Sequence, residues 1–367
     1  MRVLHCIYDD PDNPGLGGGG ARRVWEIYRR LADRVRATVV AGRYPGARDH
    51  EREGVQYRYL GRSRPYALSR WSFARAATRL LMHGEYDVAV FDFSVYTPLR
   101  VPADRPAGHI VHMLIGPTAV HRWGRTVGGL VLRRERHMLA QARVVSTTSH
   151  WMERQLRALL PPDADLTIVR SGVAEEFFKV RREEKGYLLF YGRFDLFQKG
   201  VDTLMEAFRQ VREARPDIEL HMAGRGQHTE IQRMAAAAGV EASVHIHAGV
   251  SHERTLELFG GASLLVMPSR FEGLPVVAAE ALAAGVPVLA TDVGALDEIV
   301  IPDETGVLVS PERPEVLADA TLRLLGDPER RHRMSQAARE SARRFHWTAV
   351  AQDHYQFLRK VQAQSRS

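Results

Sequence analysis

Short runs rich in β-branched and aromatic residues alternate along the chain with longer stretches whose apolar positions recur every three or four residues. In the first half the runs fall at residues 3–8, 37–41, 55–60, 88–91, 109–114 and 144–147. Between the first two, Val24, Ile27, Tyr28 and Leu31 mark one face of a helix. The series restarts at 187–191, 219–223, 244–247, 264–267, 286–291 and 306–309. Strands alternating with helices build parallel sheets covered on both faces, so two series predict an α/β protein of two doubly wound domains. The break falls within 171–185, where SGVAEEFF closes the first series and VRREEKG leads into the second. This places one domain at residues 1–178 and another at 179–345. Residues 328–362 read as one or two polar amphipathic helices.

The 367 residues suffice for two domains, and 45% hydrophobic with 26% charged residues is ordinary for a soluble globular chain. The longest apolar stretch, 276–290, is broken by Glu280 and Pro287 and is too short to span a membrane. The start, MRVLHCIYDD, has too short an apolar core for a signal peptide. The single cysteine, Cys6, excludes an internal disulfide framework and an all-cysteine metal site. A cytoplasmic enzyme or binding protein is the expectation. Charge is uneven: residues 1–180 carry a net +10, almost all of it from arginine, and residues 181–367 a net −3. The basic half could meet nucleic acid, an anionic membrane or an acidic substrate, or reflect a GC-rich genome's use of arginine. Residues 70–79, RWSFARAATR, alternate cations with aromatic and apolar positions. They could touch an anionic lipid surface or form a solvated amphipathic helix.

Gly15 to Gly20 satisfy G-x-G-x-x-G, but six residues separate them from the first strand and no acidic residue ends the second. Both facts argue against a dinucleotide site, and without G-K-[ST] the loop is no Walker A motif. A glycine loop ahead of a helix still lets backbone amides approach an anion or sugar. The triplets Asp10-Pro-Asp12 and Asp163-Ala-Asp165 read as turn chemistry rather than as metal ligands.

Two stretches carry more. In SRFEGLPVVAAEALAAGVP, Pro275 suits a helix start and Gly285 a helix stop, and the residues between are all Val, Ala and Leu except Glu280. Such a helix is expected to be buried, and a buried carboxylate needs a partner. Glu272 precedes it, where helix amides point outward. In YGRFDLFQKG, Arg193 and Lys199 precede a helix, an unfavourable place for cations unless an anion binds there.

Taken together these stretches resemble retaining glycosyltransferases of family 4. The resemblance extends through GGARRVWEIYRRLADR, VHMLIGP, RSGVAEEFF, YGRFDLFQKGVDTLMEAF, MAGRGQ, SRFEGLPVVAAEALAAGVPVLATDVGALDEI, ETGVLVSP and FHW, in order. It implies the GT-B fold, two Rossmann-like domains facing a central cleft, with the last helix (residues 346–367) crossing back onto the first domain. It implies transfer of a sugar from a nucleotide diphosphate sugar, UDP- or GDP-linked, to an acceptor hydroxyl, with no cofactor and no metal. Arg193 and Lys199 would hold the diphosphate, and Glu280 the ribose. Glu272 with the backbone of Gly273, Leu274, Pro275 and Val276 would hold the donor sugar. His112 would reach the sugar from the other domain, and Gly19 and Gly20 would line the phosphate and acceptor side. Backbone near 249–251 would meet the base. The acceptor would be a small molecule, a glycan or a lipid-linked sugar, with peripheral contact to an anionic membrane and no nucleic acid. Arg225, Arg22 and Met113-Leu114 depart from the family pattern and leave donor and acceptor identity open. An epimerase on the same fold, or a non-catalytic lipid or nucleic-acid binder, is the alternative.

Overall fold

The computed structural model describes residues 1–13, 18–94, 98–101, 105–273 and 275–364. The chain divides into two compact units, Met1–Ser171 with Trp347–Ser367, and Gly172–His346. The division precedes the boundary expected at residue 178 because the connecting segment belongs to the second unit. The Val173 N–H donates to the Phe345 carbonyl at 2.8 Å, and Phe177 packs edge-on against Phe259.

The first unit holds eight strands: β1 (Arg2–Cys6), β2 (Arg36–Gly42), β3 (His50–Arg52), β4 (Val55–Leu60), β5 (Val88–Asp92), β6 (Ala107–Val111), β7 (Val144–Thr147) and β8 (Asp165–Ile168). Their order is β3-β4-β2-β1-β5-β6-β7-β8, parallel except for β3. The β-branched runs form the buried centre: Val39, Val88, Val90 and Ile110 are almost wholly enclosed. The final helix, Trp347–Ala363, docks on this unit through Val350, Phe357, Leu358 and Val361. It lies so close to β6 that a Cβ on Gly108 would fall 2.6 Å from Val361 and 2.8 Å from Phe357.

The second unit has six parallel strands: β9 (Tyr187–Tyr191), β10 (Glu219–Gly224), β11 (Val244–Ala248), β12 (Ala262–Met267), β13 (Val288–Thr291) and β14 (Gly306–Val309). Their order is β11-β10-β9-β12-β13-β14. The chain winds outward from β9 on one side and returns to continue from β12 on the other. The crevice beyond the carboxyl ends of β9 and β12 is therefore the topological switch point, where doubly wound sheets bind ligands. In the first unit the equivalent point lies beyond β1 and β5.

Every expected strand forms, those at 55–60, 144–147, 187–191 and 306–309 with the expected bounds and the others with shifted ends. The run at 109–114 becomes β6, ending at Val111, so His112 lies just past the strand. β3 and β8 were not expected. The helix Val276–Ala284 begins after Pro275, which caps it, and ends at Gly285 in the left-handed conformation (φ 75°). It is not buried all round: Val276, Val277 and Glu280 form a partly exposed stripe. The expectation of a fully buried Glu280 is thus corrected, since small alanines leave room for a half-exposed edge without any further polar residue.

Candidate active site

In the second unit, the loop after β9 carries Arg193 and Lys199 to the start of the helix Val201–Ala214. The loop after β12 carries Ser269, Arg270 and Glu272 to the start of Val276–Ala284. Two glycines press these loops together and against the next one. Gly200 (φ 59°) sits where a Cβ would be 2.1 Å from the Pro268 carbonyl oxygen, and Gly294 (φ 64°) where it would be 1.8 Å from that of Glu272. Any other residue at either position would both strain its backbone and displace the loop it faces.

The result is an ion pair between groups 73 residues apart. The Lys199 ammonium donates to Glu272 Oε1, which also accepts from Ser269 Oγ at 2.7 Å. Both side chains are largely enclosed, 16% and 6% exposed. A partly desolvated pair at a switch point leaves an ammonium fixed in place with donor capacity to spare. Arg193 is exposed, with its guanidinium 3.4 Å from Gln198 Oε1. Gly273 is exposed, Pro275 buried and Val276 half-buried; Leu274 lies outside the described residues. Ser251 caps the helix His252–Gly261 by accepting from the Arg254 N–H at 3.1 Å, placing 249–251 at the end of β11.

The first unit brings together a second group. Gly19 and Gly20 open the helix Gly19–Arg30 behind Gly18; residues 14–17 of the glycine loop lie outside the described residues. Gly20 faces Asp92 at the end of β5, where a Cβ would stand 3.7 Å from Oδ2. Asp92 lies between two histidines: His5 Nε2 is 3.3 Å from Oδ1, and His112 Nε2 is 3.4 Å from Oδ2. Burial works to raise the Asp92 carboxyl, but His112 and His5 outweigh it and hold the group well below the usual carboxylate range. His5 Nδ1 lies 2.9 Å from the Tyr28 hydroxyl, which His354 of the final helix approaches at 3.3 Å. His112 itself is one-third exposed.

Sequence similarity decides what this arrangement belongs to. Residues 17–177 match the model of "Glycosyltransferase Family 4" and residues 173–341 that of "Glycosyl transferases group 1". A glycogen synthase of Mycobacterium tuberculosis is 31% identical over 96% of this chain and 92% of its own length. The chain belongs to glycosyltransferase family 4. Among solved structures, sucrose-phosphate synthase from Thermosynechococcus elongatus superposes with a TM-score of 0.81 at 23% identity, covering 99% of this chain and 100% of that one. Anabaena Alr3699/HepE, solved in complex with UDP, gives 0.75 at 16% identity, covering 98% and 100%. The fold of this family 4 glycosyltransferase is accordingly GT-B.

Several residues of this transferase escaped sequence reasoning. Arg270 ties the two second-unit loops together: it grips both Asp202 oxygens at 2.8 and 2.7 Å, Glu312 at 2.8 Å and the Phe197 carbonyl at 2.9 Å. Its spacing from Asp202 and Glu312 gave no signal. Asp92, His5 and Tyr28 are equally scattered in sequence, and only the end of a strand marked Asp92. The Asp10 triplet is structural: Oδ1 accepts from the Asp12 N–H at 2.9 Å, and Oδ2 from the Tyr59 hydroxyl at 3.0 Å. Of residues 70–79, Arg70 stacks on Tyr8 at 3.8 Å, while Trp71, Arg75 and Arg79 are exposed. Among the described residues no helix is long and apolar enough to cross a membrane.

Proposed function

We propose that this glycosyltransferase moves a hexosyl group from a UDP- or GDP-sugar to an acceptor hydroxyl with retention at the anomeric carbon. The observation that supports the reading most is the Lys199–Glu272 pair at the β9/β12 switch point, with Arg193 on the same loop as Lys199. Lys199 and Arg193 meet the diphosphate, and Glu272 orients the ammonium and accepts from hydroxyls of the donor sugar, helped by the backbone N–H groups of residues 273, 274 and 276; Pro275 has none to give. Glu280 accepts from the ribose hydroxyls; its partly exposed position suits a group that must reach a ligand. In the reaction the bond from the anomeric carbon to the β-phosphate oxygen breaks as the acceptor oxygen bonds to that carbon on the same face. The acceptor proton passes to the departing phosphate, so charge develops where the two cations stand, and their fixed positions stabilise it without reorganisation. The cations do the work a divalent ion would otherwise do, and no cofactor takes part. His112, held by Asp92, supplies a polar contact to the sugar, with Gly19 and Gly20 on the acceptor side. A small-molecule, glycan or lipid-linked acceptor fits this chemistry.

The test is a thermal-shift panel of UDP, GDP, TDP and ADP, with and without magnesium, on the wild type and Glu280→Ala. One nucleotide should raise the melting temperature, with or without magnesium, by the equivalent of about 2.7 kcal/mol at a hundredfold excess over Kd. The variant should lose that shift. No shift with any nucleotide, or a shift of equal size in the variant, overturns the corresponding assignment.

A further inference from the structure

A histidine-rich cluster on the second unit's edge has no part in the proposed reaction. Glu219 and His221 lie two apart on β10, so their side chains share one face of the sheet. His221 pairs in register with His245 of the edge strand β11, and Ala223 with His247. His221 Nε2 lies 3.3 Å from Glu219 Oε2, and His245 Nε2 lies 3.4 Å from Glu219 Oε1. All three ligand atoms fall within 4.8 Å of one another. The His245 Nε2 atom is itself covered and is turned inward toward Glu219, although the rest of the His245 side chain is 43% exposed.

From this geometry we infer that Glu219, His221 and His245 bind a divalent transition metal of the zinc class. A tetrahedral zinc with bonds of about 2.0–2.1 Å holds its ligand atoms about 3.3 Å apart; His221 Nε2 stands 3.3 Å from Glu219 Oε2 and His245 Nε2 3.4 Å from Oε1, so the carboxylate reaches both imidazoles through its two oxygens and the three groups need only draw together around an ion. Two imidazoles and one carboxylate select zinc-like ions over magnesium or calcium, which take oxygen ligands. The fourth position goes to water. His247 supplies the outer support such sites require: its Nε2 lies 3.2 Å from His221 Nδ1, placed to accept that N–H and leave Nε2 for the metal. The Tyr187 ring, stacked on His221 at 4.0 Å, fixes the imidazole plane. His221 is three residues short of Gly224, about 10 Å along the strand from its carboxyl end, so the ion clamps the edge strand to its neighbour and leaves the transfer chemistry alone.

The full-length protein, stripped with EDTA and dialysed, is titrated with zinc chloride in competition with a chromophoric chelator. One equivalent should bind. His245→Asn and Glu219→Gln should each weaken binding at least tenfold while circular dichroism confirms their fold, and His247→Phe, which leaves all three ligands, should weaken it less. EDTA should lower the wild type's melting temperature without abolishing any nucleotide-induced shift. Absence of zinc uptake by the wild type at 50 µM, or uptake by both ligand variants equal to wild type, overturns the site.

Discussion

Replacing Lys199 by methionine keeps the length of the side chain but removes the charge that neutralises Glu272. The carboxylate is 6% exposed and would retain only the Ser269 hydroxyl, at 2.7 Å, among its side-chain partners seen here. Breaking one half of a buried pair costs about 3–5 kcal/mol; with Lys199 16% exposed, some water reaches the site. About 3 kcal/mol is therefore the expected loss for Lys199→Met. For a unit of this size that corresponds to a fall of about 6–12 °C in its melting temperature. The double variant Lys199→Met/Glu272→Gln removes the stranded charge and should recover about 2 kcal/mol of the loss, since a neutral amide can share the Ser269 hydroxyl. Urea denaturation of wild type, both single variants and the double variant, in phosphate- and nucleotide-free buffer, closes the cycle. A coupling energy below about 0.5 kcal/mol, or a double variant no more stable than Lys199→Met, refutes the claim that the pair is held out of water.

Further outcomes follow from other parts of the molecule. Burial pushes the His109 imidazole down to about 4, so the unfolded chain takes up a proton first as pH falls. Stability should be full above about pH 6.5 and drop by about 3 kcal/mol by pH 4; urea midpoints across this range should fall less steeply for His109→Gln, and a flat wild-type profile contradicts the assignment. Arg270→Lys keeps a charge but loses the two-pronged grip on Asp202, and should cost about 1–2 kcal/mol and weaken nucleotide binding, read by calorimetry. Gly20→Ala favours the helix by up to about 1 kcal/mol yet places a methyl beside Asp92; a higher melting temperature with reduced transfer is expected, and unchanged transfer removes that face from the site. Gly294→Ala drives a methyl into the Glu272 carbonyl and should lower both stability and the nucleotide-induced shift.

The strands were legible because buried parallel strands are written as unbroken runs such as Leu188-Leu189-Phe190 and Leu264-Leu265-Val266. β3 and β8 were not, because edge strands need no such run: His50-Glu51-Arg52 is wholly polar, and every residue of Asp165–Ile168 is only half-buried. Arg193, Lys199 and Glu272 could be picked out since each sits where a strand gives way to a helix. Their partners could not, because the contacts that matter join loops far apart in sequence and depend on the close approaches at Gly200 and Gly294. The partial exposure of Glu280 is hidden in the sequence for a related reason. A stretch of alanine and valine looks like core, but alanine covers little, and the helix can show water one edge without changing a letter.

The docking of Trp347–Ala363 on the first sheet bears on how the polypeptide is made. The apolar face of that sheet is covered by a segment synthesised after the whole second unit. At about 5–20 residues per second, about 175 intervening residues take about 10–35 s to emerge. Through that interval Val90, Ile110 and the flat surface at Gly108 await Phe357 and Val361, while the second unit has its whole sequence and can fold ahead of the unit that precedes it. A nascent chain stalled before residue 347 should therefore present a chaperone-binding surface on its N-terminal sheet, and release of the last helix should be the event that retires it.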